Sequence, residues 1–355
     1  MGQNPTSLPN TKAAAEERYS RQILFSAIGT AGQEQLCSKH VLIIGVGALG
    51  TANAEILTRA GIGKLTIVDR DYIEFSNLQR QQLFTEQNAR DRLPKVVAAK
   101  QRLQAINTST EIITHIMDAN AETLEQLCNG ADLILDATDN FETRMIINDI
   151  SQKKQIPWIY GACVASYGMS FTILPGETPC LHCLVDSIAL TAATCDTAGV
   201  IAPAVQMTVA HQSAEALKIL SGNMAAVRKK IATFDVWENE YRQIGVSNAR
   251  NKDCPSCGAH PSYPFLQWEN RTKTAVLCGR NTVQVRPSGM LRPNLEEACT
   301  RLEAMDIPFE QNPFLVSFFA ENHRIVLFQD GRALVHDTND TQTAQALYHR
   351  FIGQF

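Results

Sequence analysis

What the chain lacks narrows its role first. No apolar run among its 355 residues reaches the roughly 20 needed to cross a bilayer as a helix, so no membrane partner is expected. The opening MGQNPTSLPNTKAAAEERYS is polar and has no apolar signal-peptide core, which points to a cytoplasmic protein. Met1-Gly2 with Thr6 fits a loose myristoylation pattern, but a polar leader before the first helix is the simpler reading. There is no basic stripe and the formal net charge is -4, so no nucleic-acid partner is expected. Internal repeats and low-complexity tracts are absent, and the histidines form no metal-ligand spacing.

What is present, 45% hydrophobic and 19% charged residues, is the composition of a globular chain. The length suits one large domain with a small one, or two medium ones. Strand-like runs at Val41 to Ile44, Leu65 to Val68, Leu133 to Asp136, Pro157 to Ala162 and Met169 to Leu174 alternate with helical runs. The helical runs are Leu49 to Ala60, Pro94 to Ala105 and Pro203 to Leu220. This alternation predicts an α/β fold, a Rossmann-like open sheet with helices on both faces. Beyond residue 245 the character changes to short strand-like runs, with Asp330-Gly331 as a tight turn and helical runs at Asn294 to Met305 and Gln342 to Phe351. The expected division is residues 1–265 and a small α+β domain over residues 266–355.

Gly45, Gly47 and Gly50 complete GxGxxG between a strand and a helix, with Ala48 between the last two. The first glycine allows a tight turn, the second a close approach of phosphate to backbone, and the third close helix–strand packing. Asp69 ends the next strand, where a carboxylate can accept hydrogen bonds from ribose hydroxyls. Alone this favours NAD or FAD. Asn77, Arg80 and Lys95 break that pattern, because they are phosphate-handling groups a dehydrogenase has no need of. Asp139 follows the strand LILDATDN at the carboxyl edge of the sheet, where a triphosphate's Mg²⁺ would find a ligand. The plainer alternatives are a solvated Lys95 and an Asp139 that only caps the FETRMIIND helix.

Of ten cysteines, four form Cys180-x-x-Cys183 and Cys254-x-x-Cys257, the spacing of a structural four-thiolate zinc site. A redox Cys-x-x-Cys would sit at a strand–helix junction, and neither pair does. Cys195, in ATCDTAG just before a long helix, is a candidate nucleophile because a helix dipole favours thiolate. Cys37, Cys128, Cys163, Cys278 and Cys299 read as small packing residues.

RYSRQI, GVGALG, VDRD, SNLQRQ, LPK, ATDN, TCDTAGV and both cysteine pairs, in this order over residues 18–260, resemble the ThiF/MoeB branch of the E1-like activating enzymes. The resemblance implies ATP-dependent adenylation of the C-terminal glycine of a ubiquitin-like sulfur-carrier protein. It assigns Asp69 to the ribose, Asn77, Arg80 and Lys95 to the phosphates, and Asp139 to Mg²⁺. Ser76, Leu78, Gln79 and Asn140 would complete the nucleotide surround with the glycine loop. Arg21 would reach the ATP of a partner subunit, implying a homodimer. Cys195 would join the activated carrier through sulfur in the thiazole-forming branch, but need not act in the molybdopterin branch. Many relatives have glycine where this chain has Ala48, a change that leaves backbone contact with phosphate intact.

DATDNFETR, IPWIYGAC and GRNTVQVRP resemble the thiamine-thiazole branch most, with a ThiS-like carrier expected. A molybdopterin-type enzyme acting on a MoaD-like carrier is the alternative. The short tail and Cys278 do not resemble a rhodanese loop, so a separate sulfur-donor protein is expected. An NAD- or FAD-dependent oxidoreductase rests on the glycine loop and Asp69 alone. A non-catalytic E1-like subunit would have lost the arginine, lysine or acid that this chain retains. The tail is left with three roles: docking the carrier, supporting the dimer, or capping the sheet.

Overall fold

The computed structural model describes residues 12–185, 198–267, 274–277, 281–285 and 295–352. The leader with its myristoylation pattern, Cys195 and Cys278 lie outside the described residues. The strands in chain order are β1 (His40–Ile44), β2 (Lys64–Asp69), β3 (Glu111–Ile116), β4 (Leu133–Asp136), β5 (Trp158–Val164), β6 (Tyr167–Ile173), β7 (Lys230–Asp235) and β8 (Glu240–Gly245). A further six follow: β9 (Thr274–Leu277), β10 (Thr282–Val285), β11 (Phe309–Asn312), β12 (Leu315–Ala320), β13 (His323–Phe328) and β14 (Ala333–His336).

The first eight form one sheet in the order β3-β2-β1-β4-β5-β6-β7-β8. Pairing is parallel from β3 to β5 and antiparallel from β5 to β8. The continuous apolar run of β1 makes sense in this place, because it is central and covered on both faces. Val41 and Ile43 pack into one core with Leu65, Ile67, Leu133 and Leu135. Leu42 and Ile44 pack into the other with Val68, Ile134 and Trp158. The first core is covered by helices Ala48–Ala60, Lys95–Ile106 and Ala202–Leu220, and the second by Ala121–Leu127 and Phe141–Lys154. Each buried Leu or Ile is worth about 1.5–3 kcal/mol, so a register slip in β1 would cost several such contacts at once.

The expected open α/β sheet is therefore found, with differences at its edges. The EIITHI run of β3 and the β7–β8 hairpin were not expected as strands. β8 is exposed along its whole length, so no buried alternation marked it. Pro94 stands at the N-cap, and its helix begins at Lys95. Among the packing cysteines, Cys128 and Cys299 are buried, while Cys37 is exposed. Cys37 lies in the last turn of helix Gly29–Ser38, whose core contact is Leu36.

The last six strands form a second, antiparallel sheet in the order β11-β12-β13-β14-β10-β9. Gly331, at φ +85, makes the tight turn between β13 and β14, donating its N–H to the Phe328 carbonyl at 3.0 Å. One face packs on helices Leu295–Ala304 and Thr341–Phe351. Leu315, Val326, Phe328 and Leu334 point the other way and enclose Tyr72, a residue of the first sheet's β2 exit. Among the described residues no helix is long and apolar enough to cross a membrane.

Candidate nucleotide site and cysteine cluster

β1 ends in the glycine loop, and each glycine meets a different steric demand. Gly45 has φ +90, and a Cβ there would lie 2.5 Å from the Ala137 carbonyl oxygen. A Cβ on Gly50 would lie 1.9 Å from the Gly45 carbonyl oxygen, so helix and loop touch. Gly47 differs: its Cβ would meet only Gln81 Nε2, at 3.8 Å. That open side is where an anion can approach backbone. Among the described residues no side chain caps the Ala48–Ala60 helix, so its first amides and its dipole face the same space. Ala48 stands at its first position, half-buried.

Asp69 holds this loop as well as ending β2. Its Oδ2 accepts the Val46 N–H at 2.6 Å and its Oδ1 the Asp71 N–H at 2.7 Å. Lys95 Nζ donates to Asp71 Oδ2 at 3.1 Å, and the lysine side chain is 3% exposed. Lys95 is thus no solvated helix residue. Asp71, the second acid of VDRD, was not singled out from the sequence, because nothing local says which acid a distant lysine will meet.

The SNLQRQ segment, residues 76–81, begins within a short 3-10 turn, Phe75–Asn77. Asn77 is buried, and its Oδ1 accepts the Glu74 N–H at 3.0 Å. Arg80 Nη1 donates to the Ser76 carbonyl at 2.8 Å. Ser76 and Gln79 are exposed. Leu78 turns into the core, so only its backbone is available to a ligand; its apolar side chain gains more by burial than by contact with phosphate. Gln81, which sequence reasoning passed over, is buried and is the side chain nearest the open face of Gly47.

On the β4 side, Asn140 caps the Phe141–Lys154 helix, its Oδ1 accepting from Glu142 N at 2.8 Å and Thr143 N at 3.3 Å. The capping role considered for Asp139 therefore belongs to its neighbour, and the Asn140 oxygen is engaged. Asp139 is exposed at the carboxyl end of β4. Its loop is fixed from beneath by Asp136, which is fully buried and accepts from Thr138 N at 2.9 Å, Thr138 Oγ1 at 2.7 Å and Arg144 Nε at 3.0 Å. Arg144 also donates to the Thr138 and Gly161 carbonyls and lies 4.8 Å from the Tyr160 ring centroid. Burial pushes the Asp136 carboxyl up, and the Arg144 charge opposes it. The pair was invisible in sequence, because Asp136 reads there only as the end of a strand.

Arg21 is exposed on helix Lys12–Ile23. Its neighbour Gln22 donates to the Ala60 carbonyl at 3.0 Å, at the end of the Ala48–Ala60 helix away from the glycine loop. At about 1.5 Å per residue that helix separates the two by roughly 20 Å, so Arg21 does not join the site of its own chain.

The four cysteines do come together. Cys180 Sγ is 3.9 Å from Cys183 Sγ and 3.6 Å from Cys254 Sγ, and Cys183 Sγ is 3.4 Å from Cys257 Sγ. All four sulfurs lie within 4.8 Å of one another. Tetrahedral Zn–S bonds of about 2.3 Å put sulfurs about 3.8 Å apart, so the set fits zinc. Hydrogen bonds to Cys183 and Cys257, and then burial, push the Cys180 thiol up, whereas its bonds to Cys180 and Cys257 favour the Cys183 thiolate. Gly258 is required by the second turn, since a Cβ would lie 2.5 Å from the Lys252 carbonyl. Asp149 ties that turn to helix Phe141–Lys154, accepting from Ser256 Oγ at 2.5 Å and Phe265 N at 2.9 Å.

An open glycine loop, a buried lysine and an exposed carboxylate thus stand where β1, β2 and β4 end. The sequence model of the ThiF family matches residues 19–256, and the chain belongs to that family. It is 48% identical over 336 residues to the sulfur carrier protein ThiS adenylyltransferase of Bacillus subtilis (strain 168), covering 95% of this chain and 99% of that protein. It is 36% identical over 245 residues to the molybdopterin-synthase adenylyltransferase of Escherichia coli (strain K12), covering 68% of this chain and 96% of that protein. The crystal structure of E. coli MccB with ATP superposes with a TM-score of 0.58 at 24% identity, over 68% of this chain and 74% of the other, a likeness of fold.

Proposed function

We propose that the protein adenylates the C-terminal glycine of a ThiS-like sulfur carrier. The carrier carboxylate oxygen attacks the α-phosphorus of ATP, the bond to the β-phosphate oxygen breaks, and carrier-acyl-AMP and pyrophosphate result. The observation that carries this reading is the gathering, at one sheet edge, of the uncapped helix N-terminus, Asp69, Lys95 and Asp139. Attack by one anion on another needs alignment and positive charge more than a covalent intermediate. Asp69 would take the ribose, Asn77, Arg80 and Lys95 the phosphates. Asp139 would hold Mg²⁺, which when bound neutralises the leaving pyrophosphate. The cysteine cluster would hold a structural Zn²⁺, since four protein thiolates leave no position for substrate.

Arg21 supports a homodimer, because it can serve a nucleotide only across a subunit boundary. Exposed Leu24 and Phe25, next to it, give such a boundary an apolar surface. The division near residue 265, a cytoplasmic setting and a separate sulfur donor complete the reading. The identity shared with the ThiS enzyme of B. subtilis along both sheets favours a ThiS-like carrier over a MoaD-like one.

ATP–pyrophosphate exchange with purified ThiS-like and MoaD-like carriers tests it. Exchange with the ThiS-like carrier is expected; exchange only with the MoaD-like one reverses the choice, and none with any Gly-Gly carrier sinks adenylation. Cys195→Ser is expected to spare exchange and abolish a covalent carrier adduct; lost exchange in a folded variant would argue against that role.

A further inference from the structure

The second sheet meets the first at the wall of the nucleotide site. Tyr72 is enclosed by Leu315, Val326, Phe328 and Leu334, and its ring lies 6.3 Å from that of Phe328. Beside it Arg332 is 2% exposed. Its Nη2 donates to the Arg70 carbonyl, its Nε donates to Asp330 Oδ2 at 2.9 Å, and its guanidinium carbon stands 3.7 Å from the Phe328 ring centroid. Its Nη1 is buried with no hydrogen-bond partner among the described residues. Burial pushes the guanidinium pKa down, and the carboxylates of Asp330 and Asp71 oppose this.

Asp71 is the carboxylate that also holds Lys95 at 3.1 Å, and Arg70 Nε approaches its other oxygen at 3.9 Å. This buried carboxylate thus meets two cations, from the β2 exit and the Lys95 helix, and a third, Arg332 of the second sheet, is held on the carbonyl of the residue before it. Cations on its far side weaken its grip on Lys95, whose ammonium must turn to phosphate. We propose that Arg332 is a positioning residue of the phosphate site: from the second sheet it anchors the Arg70 backbone and sets its charge one residue from Asp71, keeping Lys95 at the phosphate edge without locking it there. The ThiF family model matches residues 19–256 and stops short of the second sheet. The brace is therefore an addition to the fold rather than a requirement of it.

This inference rests on the adenylation reading, and exchange kinetics of the full chain with MgATP and the ThiS-like carrier separate the two. Arg332→Met lets Asp71 retain Lys95, so the KM for ATP is expected to rise roughly tenfold with the carrier KM unchanged. Arg332→Lys, which returns a charge, should recover most of the loss. In an Asp71→Asn background the Arg332→Met effect should shrink to under about twofold, as expected of residues that act through one another. Asp330→Asn removes the counterion of Arg332 at a partly exposed site, and should lower the KM for ATP. It tests the same charge balance should Arg332→Met fail to fold. An Arg332→Met KM for ATP within twofold of wild type, equal rises in both KM values, or an unchanged or raised KM in Asp330→Asn overturns the role of Arg332. Absence of exchange in the wild type overturns the adenylation reading instead.

Discussion

Lys95 Nζ lies 3.1 Å from Asp71 Oδ2 in a pocket that leaves 3% of the lysine side chain exposed. A buried ammonium bound to one carboxylate is balanced between structure and function, because phosphate would be its second partner. Lys95→Met should lower pyrophosphate exchange about 100-fold or more. It should also destabilise the fold by about 3 kcal/mol, the lower end for a broken buried pair, since Arg70 still faces Asp71 at 3.9 Å. Exchange assays and denaturant unfolding measure the two effects. Full exchange would remove Lys95 from the phosphate role.

Asp139 and Asn140 are adjacent but should respond in opposite ways. Asp139 is exposed and Asn140 caps a helix. Asp139→Asn should leave stability within about 0.5 kcal/mol and reduce exchange sharply, with partial recovery at high Mg²⁺. Asn140→Ala should cost about 1 kcal/mol of stability through the lost cap. The reverse pattern would mean that the sheet edge was assigned wrongly.

The cysteine cluster predicts close to one zinc per chain by atomic emission, with the ratio read against total protein. Chelation should expose thiols to reagent and lower the unfolding temperature, because a metal held by the four cysteines would join helix Leu181–Val185 to the turn after residue 253. Cys254→Ser should reproduce both effects. A metal-free protein with unchanged unfolding would leave the cluster without a structural role.

His211 gives a pH dependence. Its ring stacks on Tyr241 at 5.8 Å between centroids, its Nδ1 meets Arg228 Nη1 at 3.1 Å, and Glu215 and Lys218 lie nearby. Burial, and then the Arg228 charge, lower its pKa below the ordinary 6.5. The unfolded chain then takes up the proton first as pH falls, so stability present above about pH 6.5 is lost below it. Unfolding midpoints at pH 7.5 and 5.5 should differ less in His211→Gln than in the wild type. An identical pH slope would show that other groups, such as the similarly lowered His40 and His115, carry the effect.

Local pattern made much of this legible. The apolar run of β1, the spacing of Gly45, Gly47 and Gly50, and the two cysteine pairs each encode a backbone or ligand requirement within a few residues. The β7–β8 hairpin escaped because β8 buries nothing, so no alternation marked it. Leu78 was grouped with its motif although its side chain is core, because a motif records order along the chain and not the direction of each side chain.

By itself the sequence determined the class of sheet, the glycine turn after its first strand and the four cysteines that could hold a metal, since these follow from residue types at short range. Tertiary structure alone decided which acid holds Lys95, which of Asp139 and Asn140 is left exposed, and that Asp136 and Arg144 fix the loop between them. It also brought Arg332, 262 residues beyond Arg70, onto that residue's carbonyl. Charges in a low-dielectric interior interact according to distance in space, and those distances exist only once both sheets are packed.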